Sequence, residues 1–129
     1  MATREFEKAI DREDMRVSGP ARASLRGIQL SSRKARAIAD LIRGCNVAEA
    51  MTNLSFQQRK AAKPMMKLLN SAIANAVQRG MNVDRLRVSE IQVHKGPIVK
   101  RFMPRAHGRA TPIRKNTAHI DLGLMEVGK

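Results

Sequence analysis

A chain of 129 residues supports one domain with a modest core, and its 43% hydrophobic content excludes disorder by composition. A net charge of +14, from 25 Lys plus Arg against 11 Asp plus Glu, points to a polyanionic partner, of which nucleic acid is the commonest. One cysteine, Cys45, excludes an internal disulfide; the lack of a long apolar run and of an apolar leader predicts no membrane span and no signal peptide.

The charge is uneven. Residues 1–14 hold five of the eleven acids (Glu5, Glu7, Asp11, Glu13, Asp14) against three bases, so this stretch is −2 and residues 15–129 carry +16. Residues 1–20 therefore read as an acidic N-terminal extension with some helix possible over 4–15. It closes on the turn signal Ser18-Gly19-Pro20, and a basic domain follows over 21–127. Residues 21–30 predict a first strand, bulged or kinked at Gly27.

Three helices come next. Ala35, Ile38, Ala39 and Ile42 form one apolar face of a helix over 32–43, with Ser31 or Ser32 as N-cap and Gly44 past its end. Val47, Ala50, Met51 and Leu54 give a second, short helix, with Asn46 and Glu49 spaced as a capping box. A third, longest helix is expected from a Ser55–Gln58 capping box to Gly80. It buries Ala61, Met65, Leu68, Leu69, Ala72, Ile73 and Ala76, and Pro64 either kinks it or marks a new start.

After residue 84, Leu86 and Val88 share one parity and Ile91 and Val93 the other, so a bulge is expected near Ser89 or Glu90. Ile120, Leu122 and Leu124 alternate as a half-buried strand. Between Ile91 and Ile120 there is no acid, but there are seven bases, three prolines and all three histidines, His94, His107 and His119. Paired throughout, each arm of this hairpin (91–120) would reach about 45 Å, too far to be ordered without a surrounding partner.

Three bases at the start of the first helix, Arg33, Lys34 and Arg36, oppose the helix dipole and call for an anion there. Aromatic residues are three Phe with no Tyr or Trp, so RNA would be bound by charge and shape rather than by base stacking. Metal-ligand spacing, a Walker loop, GxSxG and GxGxxG are all missing, and the acids of the basic domain are scattered. No catalytic residue, metal or cofactor is expected. A nucleoid-type basic DNA-binding protein fits the charge alone and stands as the alternative.

The strings LSSRKARAIADLIRG (30–44), LLNSAIANA (68–76) and KGPIVKRFMPRAHGRATPIRKNTAHI (95–120) closely resemble the bacterial large-subunit ribosomal protein family numbered twenty-two, in order and spacing over about residues 21–127. The resemblance implies an α+β fold: three helices packed on a three-stranded antiparallel sheet, with a long protruding β-hairpin. It implies a cytoplasmic structural constituent of the large ribosomal subunit that aids assembly. Its implied partners are large-subunit ribosomal RNA, neighbouring large-subunit proteins and, in the exit tunnel that the hairpin lines, the nascent peptide. It also implies that hairpin changes alter macrolide sensitivity. Carried over by position, the RNA contacts are Arg33, Lys34, Arg36, Lys95, Lys100, Arg101, Arg105, His107, Arg109, Arg114 and Lys115. The tunnel-lining tip is Lys100, Arg101, Phe102, Met103, Pro104, Arg105, Ala106, His107, Gly108 and Arg109. The chain departs from the family at His94-Lys95, where many members have an acidic pair, and at His107, often Lys.

Overall fold

Small residues at alternate positions let the first strand lie flat against a helix. In the computed structural model, which describes residues 19–128, β1 (Ala21–Ile28) turns Ala21 and Ala23 inward and leaves Arg22, Ser24 and Arg26 exposed. Apart from Gly19 and Pro20, the acidic extension and its expected helix over 4–15 lie outside the described residues.

Three helices follow: α1 (Ser32–Ile42), α2 (Val47–Phe56) and α3 (Ala62–Gln78). Their apolar faces are those the periodicity predicts, with Ala35, Ile38, Ala39 and Ile42 buried on α1 and Val47, Ala50 and Leu54 on α2. On α3, Met65, Leu68, Leu69, Ala72 and Ala76 are buried, and Ile73 is partly so. Gly44 and Gly80, both at φ +74°, follow the first and third helices in the left-handed conformation expected there.

The helix starts differ from expectation. Ser31 and Asn46 occupy the N-cap positions of α1 and α2, but neither side chain makes a capping bond. The Ser55–Gln58 pair starts nothing. Ser55 lies in the last turn of α2, where its hydroxyl donates back to the Thr52 carbonyl at 2.7 Å. The chain leaves the helix at Phe56 and re-enters at Ala62, with Pro64 in the first turn. A proline lacks the donor an inner turn needs and its ring clashes with the preceding turn, whereas first-turn amides need no helical partner. Of the two outcomes expected for Pro64, a new start is the one observed.

After a short 3-10 turn (Val83–Arg85), β2 (Leu86–Lys95) begins, and β5 (Ala118–Glu126) is the last strand. The body sheet is antiparallel in the order β1-β5-β2. The β2–β5 register passes from Val88↔Leu124 to Glu90↔Gly123, so Ser89 is the extra residue of the expected bulge. That one residue brings Leu86, Val88, Ile91 and Val93 all to the buried face. A second shift, between Leu25 and Ile28, falls at Gly27, whose N–H donates to His119 Nδ1 at 2.9 Å.

One core lies between the sheet's inner face and the three helices. Ile38, Ile42, Leu54, Met65, Leu69, Leu86, Val88, Ile120, Leu122 and Leu124 are its large, fully buried side chains, each contributing about 1.5–3 kcal/mol by transfer from water. Ala72 and Ala76 allow α3 to lie close on the sheet, so that Asn75 Nδ2 reaches the Arg22 carbonyl at 2.9 Å. Arg36 of α1 and Arg43, just past its end, donate to the carbonyls of Val93 (3.3 Å) and Ile91 (3.2 Å).

Beyond this body the hairpin protrudes. Its pairing is interrupted rather than continuous. β2 and β5 run together as far as Lys95↔Ala118, and β3 (Val99–Pro104) with β4 (Ala110–Lys115) then form a separate two-stranded sheet. At the neck the Gly96 N–H donates to the Thr117 carbonyl at 2.8 Å, and the Thr117 hydroxyl donates to the Pro97 carbonyl. A Cβ at Gly96 would overlap Thr117 Oγ1, so any larger residue there requires the neck to shift.

Candidate nucleic-acid interface

The hairpin has no core of its own. Every residue from Lys100 to Asn116 is exposed, including Phe102 at 72% and Met103 at 47%. Its register sorts the side chains into two faces, since directly opposed residues share one face. Lys100, Phe102 and Pro104 lie with Arg114, Pro112 and Ala110; Val99, Arg101 and Met103 lie with Lys115, Ile113 and Thr111. Lys100 and Arg114 are direct partners, and opposed like charges are unfavourable unless an anion lies between them.

The tip is tight. The Arg105 N–H donates to the Arg109 carbonyl at 2.7 Å, around a turn in which His107 (φ 62°) and Gly108 (φ +67°) are both left-handed. Arg105, His107 and Arg109 are thereby gathered at one end of the molecule. Lys95 is exposed at the end of β2, on the body side of the neck.

Arg33 and Lys34 stand exposed in the first turn of α1, which holds no acid. Uncapped amides and two cations therefore meet at this helix start, an arrangement that favours a bound anion. Arg36 is different, because its guanidinium is bonded to the Val93 carbonyl and fastens α1 to β2. The fold also joins two regions distant in sequence. Lys34 of α1 and Lys115 of β4 line one depression of about 350 Å³ with Lys60 and Asn116.

Four ion pairs occur among the described residues: Arg22–Glu90 (3.9 Å), Arg26–Asp121 (3.0 Å), Arg43–Asp40 (3.5 Å) and His94–Asp121 (3.7 Å). None uses any of the eleven residues expected to contact RNA. The basic side chains neutralised within the body are thus separate from those on the hairpin and at the start of α1. Sequence reading did not single out Arg59, Lys60, Lys63 and Lys67, which line depressions beside Lys34 and β1. The available signal was the spacing of Lys60, Lys63 and Lys67 away from the buried stripe of α3.

Among the described residues there is no cluster of His, Cys, Asp and Glu able to hold a metal, and no helix is long and apolar enough to cross a membrane. The sequence model of the family "Ribosomal protein L22p/L17e" matches residues 23–125. The chain is similar to the large ribosomal subunit protein uL22 of Syntrophotalea carbinolica, with 51% identity over 107 residues, 82% of this chain and 97% of that protein. It is similar also to that of Myxococcus xanthus, 49% identical over 83% of this chain and 96% of the relative. That of Mesoplasma florum is 50% identical over 79% and 92%. The match takes in the three helices, nearly all of the body sheet and the whole hairpin, and the chain belongs to the family of ribosomal protein L22p/L17e.

Proposed function

We propose that this protein is a structural constituent of the large ribosomal subunit in the bacterial cytoplasm. In this reading residues 21–127 act as one RNA-binding unit. Large-subunit ribosomal RNA is held by Arg33 and Lys34 on the body and by Lys95, Lys100, Arg101, Arg105, His107, Arg109, Arg114 and Lys115 along the hairpin. Arg36 contributes mainly by fixing α1. The tip from Lys100 to Arg109 lines the nascent-peptide tunnel, and neighbouring large-subunit proteins contact the body. The role is architectural, in keeping with a family of ribosomal proteins rather than of enzymes.

The observation that carries this reading is the exposed, acid-free hairpin, in which Lys100 faces Arg114 with no carboxylate among the described residues to neutralise either. A polyanion that surrounds the arm supplies both the charge and the burial it lacks. Titration of the full chain on large-subunit rRNA fragments tests the charge-led part. If about seven phosphates are neutralised, log affinity should fall with log salt at a slope near −5 to −6. A slope near zero rejects this reading. Equal affinity for duplex DNA of matched length favours a nucleoid-type protein instead. Gradient sedimentation of lysate gives the second check, with the protein expected to stay on large subunits through a high-salt wash.

A further inference from the structure

We propose that a groove between β1 and the start of α3, continuing to the hairpin neck, is a track for one single-stranded segment of RNA. The inference rests on the RNA-binding reading and adds a site on the body that meets the hairpin only at Lys115.

The groove is a chain of adjoining depressions. The first, about 440 Å³, lies between Ser24-Leu25 of β1 and Lys63, Lys67 and Ser71 of α3. Pro64 is shared with the next, about 250 Å³, which reaches Ile28 and Lys60. Leu30 and Lys60 are shared in turn with a third, about 370 Å³, bounded by Lys34 and Arg59. Lys34 and Lys60 continue into the depression that ends at Lys115, beside the neck.

Six cations therefore follow one line: Lys67, Lys63, Lys60, Arg59, Lys34 and Lys115. All six are exposed, and among the described residues no acid lines any of the four depressions and none of the six pairs with a carboxylate. Lys63 and Lys67 stand one helical turn apart, roughly 5–6 Å between Cβ atoms, a step comparable to that between neighbouring nucleotides. The floor is aliphatic, from Leu25, Ile28, Leu30, Ala61, Pro64 and Leu68.

Cations on the rim and aliphatic surface below match a strand with phosphates outward and sugars and base edges inward. A duplex hides its base faces and would leave the floor uncovered. Among the described residues no aromatic side chain lines the groove, so the track these residues form should accept any sequence, without stacking platforms to select bases.

The full chain is titrated by fluorescence anisotropy with a dye-labelled ten-nucleotide oligouridylate and with a labelled RNA duplex. Wild type is compared with Lys60→Gln/Lys63→Gln/Lys67→Gln and with Lys100→Gln/Arg101→Gln/Arg109→Gln, which removes equal charge from the hairpin. The groove variant should lose at least about tenfold in oligouridylate affinity, and its log–log salt slope should flatten by about 2, from roughly 0.7 per lost contact. The hairpin variant, which removes proposed rRNA contacts, should lose less oligouridylate affinity than the groove variant and more affinity for large-subunit rRNA fragments. Lys60→Arg/Lys63→Arg/Lys67→Arg should bind as wild type. All substituted side chains are exposed, and Gln keeps helix propensity near that of Lys. Equal losses in the two Gln variants, or no loss in the groove variant, overturn the proposal. A wild-type chain that binds the duplex but not oligouridylate overturns the groove alone; one that binds neither overturns the RNA reading with it.

Discussion

Thr117 is the one buried side chain with a polar group among the described residues, 5% exposed, and it sits where the body ends and the hairpin begins. Its hydroxyl meets the Pro97 carbonyl and its own carbonyl receives the Gly96 N–H, so two strands are fastened just as their ladder is interrupted. Thr117→Val keeps the shape and removes the donor. It should lower unfolding stability by about 1 kcal/mol, read as a lower urea midpoint at unchanged slope. Gly96→Ala should cost more, about 1–3 kcal/mol, because its Cβ overlaps Thr117 Oγ1 and lies 3.2 Å from the Thr117 carbonyl group. The two substitutions should be strongly non-additive in a double-mutant cycle, since they act on one contact; additive losses would mean that the neck is not a unit. Nothing in the sequence marked Thr117 out. A threonine after Arg114-Lys115-Asn116 reads as solvated loop, and only the register of two strands far apart in the chain buries it. By contrast the Ser89 bulge was legible, because apolar residues on both sides of it occupy opposite parities that a single core face cannot otherwise satisfy.

At the scale of elements, the helical faces were legible for the same reason: a period of 3.6 residues selects which side chains can share one core. Helix starts were less so. Ser31, Asn46 and Ser55 each have the right chemistry for a cap, yet none makes the bond. The break before α3 follows from where Pro64 can be placed, not from Ser55. The hairpin is legible in composition and only partly in geometry, since the interruption at Gly96-Pro97-Ile98 depends on tertiary closure at the neck. As a two-stranded sheet apart from the body and exposed on both faces, β3–β4 should be marginal in the free protein. Amide exchange on the isolated chain should show opening energies near 0–1 kcal/mol across Val99–Lys115 and several kcal/mol at Ile120 and Leu122 in β5. Adding rRNA fragments should slow the hairpin amides. Slow exchange throughout Val99–Lys115 without RNA would contradict the view that the arm needs a surrounding partner. The start of α1 and the groove cations illustrate a further limit. Lys34, Lys60 and Lys115 come from three separate stretches of sequence, and only the fold gathers them into one depression.

For the whole molecule, the proposed function divides a body that docks from an arm whose tip can vary. Deleting Val99-Lys100-Arg101 tests that division. The core residues Ile38, Ile42, Leu68, Leu69, Ile120 and Leu122 are packed in the body, and the neck bonds of Gly96 and Thr117 lie on its side of the deletion. Free-protein stability should therefore change by no more than about 0.5 kcal/mol, as for surface changes away from the core. The cations at the start of α1 are also untouched, so incorporation into large subunits should persist. The arm itself should change face. With pairing kept from the neck outward, Phe102 takes the place of Val99 opposite Lys115, a shift of three residues in β3. An odd shift turns each later side chain to the other face of the sheet. Phe102 leaves the Lys100–Arg114 face, Met103 crosses in the opposite sense, and the turn holding Arg105, His107 and Arg109 must close on a different partner residue. If the tip lines the tunnel, this redirection alters what the tunnel wall presents. The expected outcome is altered macrolide sensitivity with near-normal growth. It is measured in a strain carrying the deletion, with gradient fractions probed for the variant protein. Its absence from large subunits would mean that the tip is needed for docking, and unchanged sensitivity with normal incorporation would place the tip away from the drug's path.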